Sequence, residues 1–246
     1  VTLLAAEDIH AHHGLLEAVR GISLTLTRGQ TLALVGANGA GKTTTLRVIA
    51  GAHPISAGRI ILDGVDITDL PAHKRVNRGL ALVPEGRRLF PDLTVRENLQ
   101  VAGKRGRPGD WTISTVVDAF PLLRDVLEKN ASQLSGGQQQ AAAIARALMT
   151  NPQVLLIDEL SLGLAPVAVD AVYESVSALL ASGSTVALVE QDLERAMSVS
   201  NRLICMLEGR VVLDAPTSSV TRDQVVSAYF GLDRGAKGDL ERGSHR

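Results

Sequence analysis

Apolar positions in this chain gather into short unbroken runs separated by turns rich in glycine, proline and aspartate. Thr31–Val35 (TLALV), Val154–Asp158 (VLLID), Thr185–Glu190 (TVALVE) and Leu203–Leu207 (LICML) are of this kind. Continuous runs of that length fit strands of a parallel sheet covered on both faces. Further β-type runs stand at Gly21–Leu26, Arg59–Leu62 and Arg210–Asp214, the last joined to LICML through Glu208-Gly209 as a hairpin. From Thr94 the pattern turns helical. Thr94-Val95-Arg96-Glu97 is a capping box, in which hydroxyl and carboxylate each satisfy a backbone N–H of the first turn. Residues 94 to 149 read as helices broken at Gly103 to Gly109 and at Pro121, the last helix carrying strong formers over Ala141–Ala147, with Ile144 and Leu148 on one face. The pattern predicts one α/β domain over 1–234, with a core at about 1–88 and 150–232 and a helical lobe inserted at about 89–149. Residues 235–246 form a polar tail without periodicity, expected to add nothing to the packed domain.

Hydrophobic residues make up 45% of the 246 positions and aromatic residues 2%. The core must therefore be packed with Leu, Val, Ile and Ala, and few rings remain for stacking on bases, so no nucleic-acid partner is expected. A formal net charge of -1 provides no global field for nucleic acid or anionic lipid. The single cysteine, Cys205, rules out an internal disulfide and, inside an apolar run, reads as a buried inert thiol suited to a reducing compartment. No apolar run approaches the roughly 18 residues that cross a bilayer, and Glu7 and Asp8 stand where a basic leader would begin. The chain is expected neither to span a membrane nor to be exported.

The chemistry is concentrated in three places. Gly36-Ala37-Asn38-Gly39-Ala40-Gly41-Lys42-Thr43 matches GxxxxGKT at every fixed position, between a β-type run and a helix-patterned segment. Such a turn aims successive N–H groups at an anion, with the positive end of the next helix behind them. Lys42 is expected on the β- and γ-phosphates of a nucleotide and Thr43 on Mg2+, with Thr44 closing the cradle. Asp158 and Glu159 follow a buried strand directly. Asp158 is expected to hold Mg2+ and Glu159 to polarise the attacking water, because phosphoryl transfer needs positioning and charge stabilisation more than covalent help. Between these motifs, Leu134-Ser135-Gly136-Gly137-Gln138-Gln139-Gln140 precedes a helix, so Ser135 and the two glycines form a second anion site without a lysine. No NKxD motif is present to read guanine.

LSGGQQQ upstream of VLLIDE, with GxxxxGKT upstream of both, resembles the nucleotide-binding subunit of ATP-binding-cassette (ABC) transporters over essentially all of Leu3 to Leu232. The resemblance implies a P-loop NTPase (RecA-like) core with an antiparallel β subdomain and an inserted α-helical signature lobe. It implies an ATPase using ATP and Mg2+, on the cytoplasmic face of a membrane as a peripheral subunit. Its partners would be a second ABC ATPase subunit, integral membrane permease subunits and, indirectly, an extracytoplasmic solute-binding protein. In that family two subunits pair head to tail, so Ser135, Gly136, Gly137 and Gln138 of one would grip the γ-phosphate held by the cradle of the other. Val83–Phe90 (VPEGRRLF), Ser161–Pro166 (SLGLAP) and Leu188–Asp192 (LVEQD) are similar to the ATPases of branched-chain amino-acid uptake systems of the LivF type. Urea, amides or other amino acids stand as alternative cargoes. A nucleotide sensor without turnover and a non-transport cassette are alternatives of another class; one cassette and no sustained heptads speak against translation or DNA-repair types.

Several residues depart from the family pattern. Glu85 replaces the usual Gln; it can still ligate Mg2+ but adds a negative charge near the γ-phosphate. Gln191 replaces the usual His and can donate a hydrogen bond without becoming a cation, so a weaker half-site is expected here. Leu160 replaces a proline, freeing φ and adding an N–H. His13 stands where an aromatic ring would stack on adenine. His10 and His12 would share a strand face as a potential metal pair, yet no cysteine or carboxylate at ligand spacing joins them, and solvated histidines are the default. Trp111 reads as a partly buried anchor of the helical lobe. Phe90, flanked by Arg87 and Arg88, lies on the turn where the family docks a membrane subunit's coupling helix, with a core role equally open.

Overall fold

The computed structural model describes residues 1–181 and 183–232. The tail expected at 235–246 lies outside the described residues.

The unbroken apolar runs form the central sheet. β3 (Thr31–Val35), β7 (Val154–Asp158) and β8 (Thr185–Val189) are buried along their whole length. With β6 (Leu80–Val83), β9 (Arg202–Leu207) and β10 (Arg210–Pro216) they make a six-stranded sheet in the order β10-β9-β3-β8-β7-β6. Its members run parallel except β10, which returns from β9 through the two-residue Glu208-Gly209 turn. Alternate side chains go to opposite faces. Val35, Leu155, Ile157, Leu188 and Cys205 pack on one side, and Leu34, Leu156, Val189, Ile204 and Met206 on the other. This two-sided burial is why these strands show no polar alternation. Cys205 is fully buried, and burial pushes its thiol up to about 11, consistent with an unreactive side chain.

The second face is covered by α1 (Lys42–Ile49) and by an antiparallel sheet, the subdomain the resemblance implied. That sheet comprises β1 (Thr2–His13), β2 (Leu16–Thr27), β4 (Ala57–Leu62) and β5 (Val65–Asp66) in the order β2-β1-β4-β5. The sequence reading placed His10 and His12 on a strand face but did not anticipate the extent of β1. Its inward residues are Leu4, Ala6, Ile9 and Ala11, and the alternation slips at a register irregularity between Ala6 and Ile9, where Asp8 takes φ 48. A bulge moves the later residues onto the other parity, so no single period of two runs through the strand. β6 and α2 (Ala72–Asn77), also unanticipated, are too short to register a period.

The first face is covered by helices lying between β6 and β7. α3 (Val95–Gly103) begins with both reciprocal bonds of the Thr94/Glu97 box. α4 (Ile113–Ala119) follows the glycine-rich break and ends before a 3-10 turn opened by Pro121. α5 (Gly136–Leu148) runs beneath the sheet with Ile144 and Leu148 buried. Trp111 is half-buried against this cluster. α6 (Pro166–Ala181), α7 (Leu193–Val199) and α8 (Arg222–Phe230) complete the order of helices. Leu160 is fully buried in the same cluster, so the segment after Glu159 is anchored by a packed side chain where a proline would have anchored it by a fixed φ.

Candidate nucleotide-binding site

The loop between β3 and α1 curls where only glycine fits. A Cβ on Gly36 (φ 145) would stand 2.2 Å from the Met206 carbonyl oxygen, and one on Gly41 (φ 95) would stand 2.4 Å from that of Ala18. The loop is therefore pressed against two neighbouring strands, which fixes it in front of the first turn of α1. Gly41 is the N-cap of that helix, and no side chain caps it. The helix thus presents its first-turn amides and its positive end to whatever lies over the loop.

Lys42 is 5% exposed, and its ammonium donates to the carbonyls of Gly36 at 2.6 Å and Ala37 at 3.0 Å. Burial pulls its pKa down, opposed by the carboxylates of Glu159 and Asp158. A buried cation held by loop carbonyls, with two carboxylates nearby, is poised for an anionic ligand. A cleft of about 250 Å³ lies over this loop, lined by His13, Leu16, Ala18, Asn38 and Glu159 together with the loop and first helical residues. His13 is hydrogen-bonded to Thr44 at 3.1 Å and tilted against the His53 ring, with centroids 4.5 Å apart. Leu16 is a cleft residue that the sequence reading missed; a lone leucine after a turn carries no signal of its own.

Thr43 and Asp158 meet at the end of β7, where the Thr43 hydroxyl donates to Asp158 Oδ1 at 2.8 Å. Asp158 is 1% exposed, and its second oxygen has no hydrogen-bond partner. Burial pushes its pKa up, against the Thr43 bond and the nearby Arg47 guanidinium, which hold it down. An orphaned buried carboxylate oxygen beside a threonine hydroxyl is a donor set of hard oxygens, which fits Mg2+. Arg47 was also missed: its Nε lies 3.8 Å from Asp158 Oδ2, and its Nη2 lies 3.7 Å from Glu85 Oε2. The signal was available, since Thr43 and Arg47 are four apart on one helix and so share a face. The extra charge of Glu85 thus has a counter-ion in the same chain.

Glu159 takes the left-handed conformation at φ 58, and its Oε1 accepts from the Gln191 side-chain amide at 2.8 Å. Cradle, carboxylates and Gln191 are therefore brought together. Ser135, Gly136, Gly137 and Gln138 do not line this cleft; they open α5. There the Ser135 hydroxyl accepts from the Gln138 N–H at 3.3 Å, and the Gln138 side chain turns back to accept from the Ser135 N–H at 3.0 Å. The Gln138 side chain is thus engaged within its own helix end. The Arg87 side chain also turns inward: Nη1 donates to Gln139 Oε1 at 2.9 Å, and the guanidinium lies 3.5 Å from where a Cβ would sit on Gly136. Phe90 is 49% exposed, with the Arg146 guanidinium 5.9 Å above its ring, so it does not belong to the core.

The histidines near the start of the chain have separate partners. His10 pairs with Glu17 at 2.7 Å and with Asp8 at 3.5 Å, and the Glu17 hydrogen bond raises its pKa; His12 bonds to the Ser56 hydroxyl at 3.1 Å. Among the described residues no helix is long and apolar enough to cross a membrane.

Comparison with known proteins agrees with this geometry. The family model for "ABC transporter" matches residues 19–161. The high-affinity branched-chain amino acid transport ATP-binding protein BraG of Pseudomonas aeruginosa is 37% identical over 232 residues, covering 93% of this chain and 100% of that protein. A probable branched-chain amino acid transport ATP-binding protein, LivF of Archaeoglobus fulgidus, is 31% identical over 221 residues, covering 89% and 94%. Among solved structures, a nucleotide-free ATP-binding cassette from an ABC transporter superposes with a TM-score of 0.78 at 26% identity, over 93% of this chain and 99% of that one. The ADP conformation of the cassette MJ1267 gives 0.76 at 27%, over 94% and 99%. The chain belongs to the ABC transporter family, and its fold is that of an ATP-binding cassette.

Proposed function

We propose that this chain is the ATP-hydrolysing subunit of an importer of branched-chain amino acids, working at the cytoplasmic face of the membrane. The observation that carries the reading is the convergence of Lys42, Thr43 and Glu159 on one cleft, with Asp158 bonded to Thr43 and Gln191 to Glu159 behind it, in a chain similar to two branched-chain amino-acid transport proteins over nearly its whole length.

In this reading Lys42 leaves the loop carbonyls for the β- and γ-phosphates, and the first-turn amides of α1 cradle the rest of the triphosphate. Thr43, Asp158 and Glu85 are the residues that would hold Mg2+, whose chemistry when bound is to neutralise charge on the phosphate oxygens. Glu159 orients the attacking water and takes up its proton. Gln191 fixes the Glu159 carboxylate through the bond to Oε1. His13 and Leu16 bracket the base. Ser135, Gly136, Gly137 and Gln138 face the γ-phosphate of a second ABC ATPase subunit, the Gln138 N–H remaining with the Ser135 hydroxyl that caps it, and Arg87 places a cation beside that corner. Phe90 and its neighbouring arginines form the docking point for a membrane permease subunit.

The test is ATP turnover of the chain in the assembly that co-purifies from membranes, compared with Glu159→Gln. Turnover lost in the variant, together with branched-chain amino acid binding by a co-purifying extracytoplasmic receptor, supports the reading. Equal rates favour a nucleotide sensor, and a receptor that binds urea or an amide instead reassigns the cargo.

A further inference from the structure

Glu190 stands one residue before Gln191, at the end of β8, and is 1% exposed. Burying a carboxylate is costly unless its oxygens find donors. Both do. Oε1 accepts from the Tyr173 hydroxyl, and Oε2 accepts from the Gln191 main-chain N–H at 3.0 Å. Tyr173 is itself buried, and burial together with the adjacent carboxylate raises its pKa far above the ordinary phenol range, so it remains a donor. Arg195 lies 5.2 Å over the Tyr173 ring and is paired with Asp170 and Asp192. Tyr173 belongs to α6, the helix that follows the 160–165 segment.

We infer that Tyr173 and Glu190 are positioning residues for the hydrolytic reaction. They fix the main chain of Gln191 so that its side-chain amide meets Glu159, and they tie that contact to the placement of α6. The inference rests on the proposed role of Glu159. Two apolar side chains would fill this volume without desolvating a charge. What the polar pair adds is a directional acceptor for one main-chain N–H, that of the residue touching Glu159. The line Tyr173 hydroxyl, Glu190 carboxylate, Gln191 N–H, Gln191 amide, Glu159 carboxylate is continuous, each link a hydrogen bond or a single residue. A displacement of α6 therefore reaches the group that orients the water.

The experiment measures kcat and KM for ATP in the full chain within its co-purified assembly. Tyr173→Phe and Glu190→Gln are each made in the wild-type and in the Gln191→Ala background. Tyr173→Phe should lower kcat roughly ten-fold with KM within about two-fold, and should cause no further loss once Gln191 is alanine. Glu190→Gln, whose amide still offers an acceptor to the Gln191 N–H and a donor to the tyrosine oxygen, should recover most of the rate. Unchanged kcat in Tyr173→Phe, or an equal loss with and without Gln191, overturns the inference and assigns the pair to packing alone. Should Tyr173→Phe fail to fold, Glu190→Gln and Glu190→Leu decide the matter by the same cycle: kcat lower in Leu than in Gln only when Gln191 is present supports it, and equal rates overturn it. A wild-type rate that Glu159→Gln leaves unchanged overturns the role of Glu159 and this inference together, a failure visible before Tyr173 or Glu190 is touched.

Discussion

Asp158→Asn should stabilise the free protein while abolishing turnover. The carboxylate is buried, with one oxygen bonded to Thr43 and the other without a hydrogen-bond partner. Burying such an ion costs roughly 5 kcal/mol. The charge-assisted bond from Thr43 returns about 2 kcal/mol. The Arg47 pair at 3.8 Å has a Coulomb energy of about 4 kcal/mol at an effective dielectric of ~20, but Arg47 is 35% exposed, and solvent screening reduces this to about 2 kcal/mol. A net cost of about 1 kcal/mol remains, which asparagine removes while keeping an acceptor for Thr43. For a chain of this size that corresponds to a rise of roughly 2–4 °C in Tm. The pH dependence follows from the raised pKa of Asp158. A carboxyl whose folded-state pKa exceeds its unfolded value stabilises the fold when protonated, below about pH 4, and loses that contribution as pH rises through the folded value. The Tm gap between variant and wild type should therefore open with rising pH and then stay constant. The assay is thermal unfolding by circular dichroism in EDTA from pH 5 to 8, repeated with Mg2+ and ATP, which should raise the wild-type Tm more than that of the variant. An Asp158→Asn protein that melts several degrees lower than wild type in EDTA at pH 8 would refute the reasoning, because the carboxylate would then be a net stabilising group.

Other substitutions probe separate parts of the account. Gly41→Ala drives a Cβ to 2.4 Å from the Ala18 carbonyl at a positive φ, and should reduce ATP affinity at least ten-fold in calorimetry while the fold persists. Leu160→Ala empties a fully buried site and should cost about 2–4 kcal/mol in urea unfolding. Asn98 is fully buried, accepts from the Phe90 N–H and donates to the carbonyls of Phe90, Leu93 and Thr94; Asn98→Ala should cost about 2 kcal/mol and release the Phe90 turn to proteolysis. Gln191→His introduces a group able to carry positive charge beside Glu159 and should raise turnover of the assembled subunits; an unchanged or lower rate argues against a weakened half-site.

Much of the fold was legible because its central strands are buried on both faces and carry unbroken apolar runs whose ends coincide with β3 and β7. Helix starts were legible where a capping box marks them, as at Thr94. What escaped had a physical cause in each instance. β1 hides behind its bulge at Asp8, and β6 is a four-residue strand between turns. At the site, motif spacing identified the residues that the fold brings together over the cradle. It could not show that Arg47 counters Glu85, or that Tyr173 satisfies Glu190, because in each pair the partners lie on different elements and no single motif spans both. The loss of a proline at position 160 looked like a loss of rigidity from sequence. Burial of the Leu160 side chain supplies an anchor that spacing alone does not reveal.

The central claim is that a triphosphate held by one cradle is closed over by the Ser135 corner of another subunit. Hydrogen exchange of the segments 36–44 and 134–140, followed in the assembled complex and in the dilute single chain with Mg2+ and ATP, tests it most directly. The account predicts that nucleotide protects 36–44 in both samples but protects 134–140 only in the assembly, and that Lys42→Ala removes both effects. Protection of 36–44 with exchange at 134–140 unaltered in every sample would contradict it.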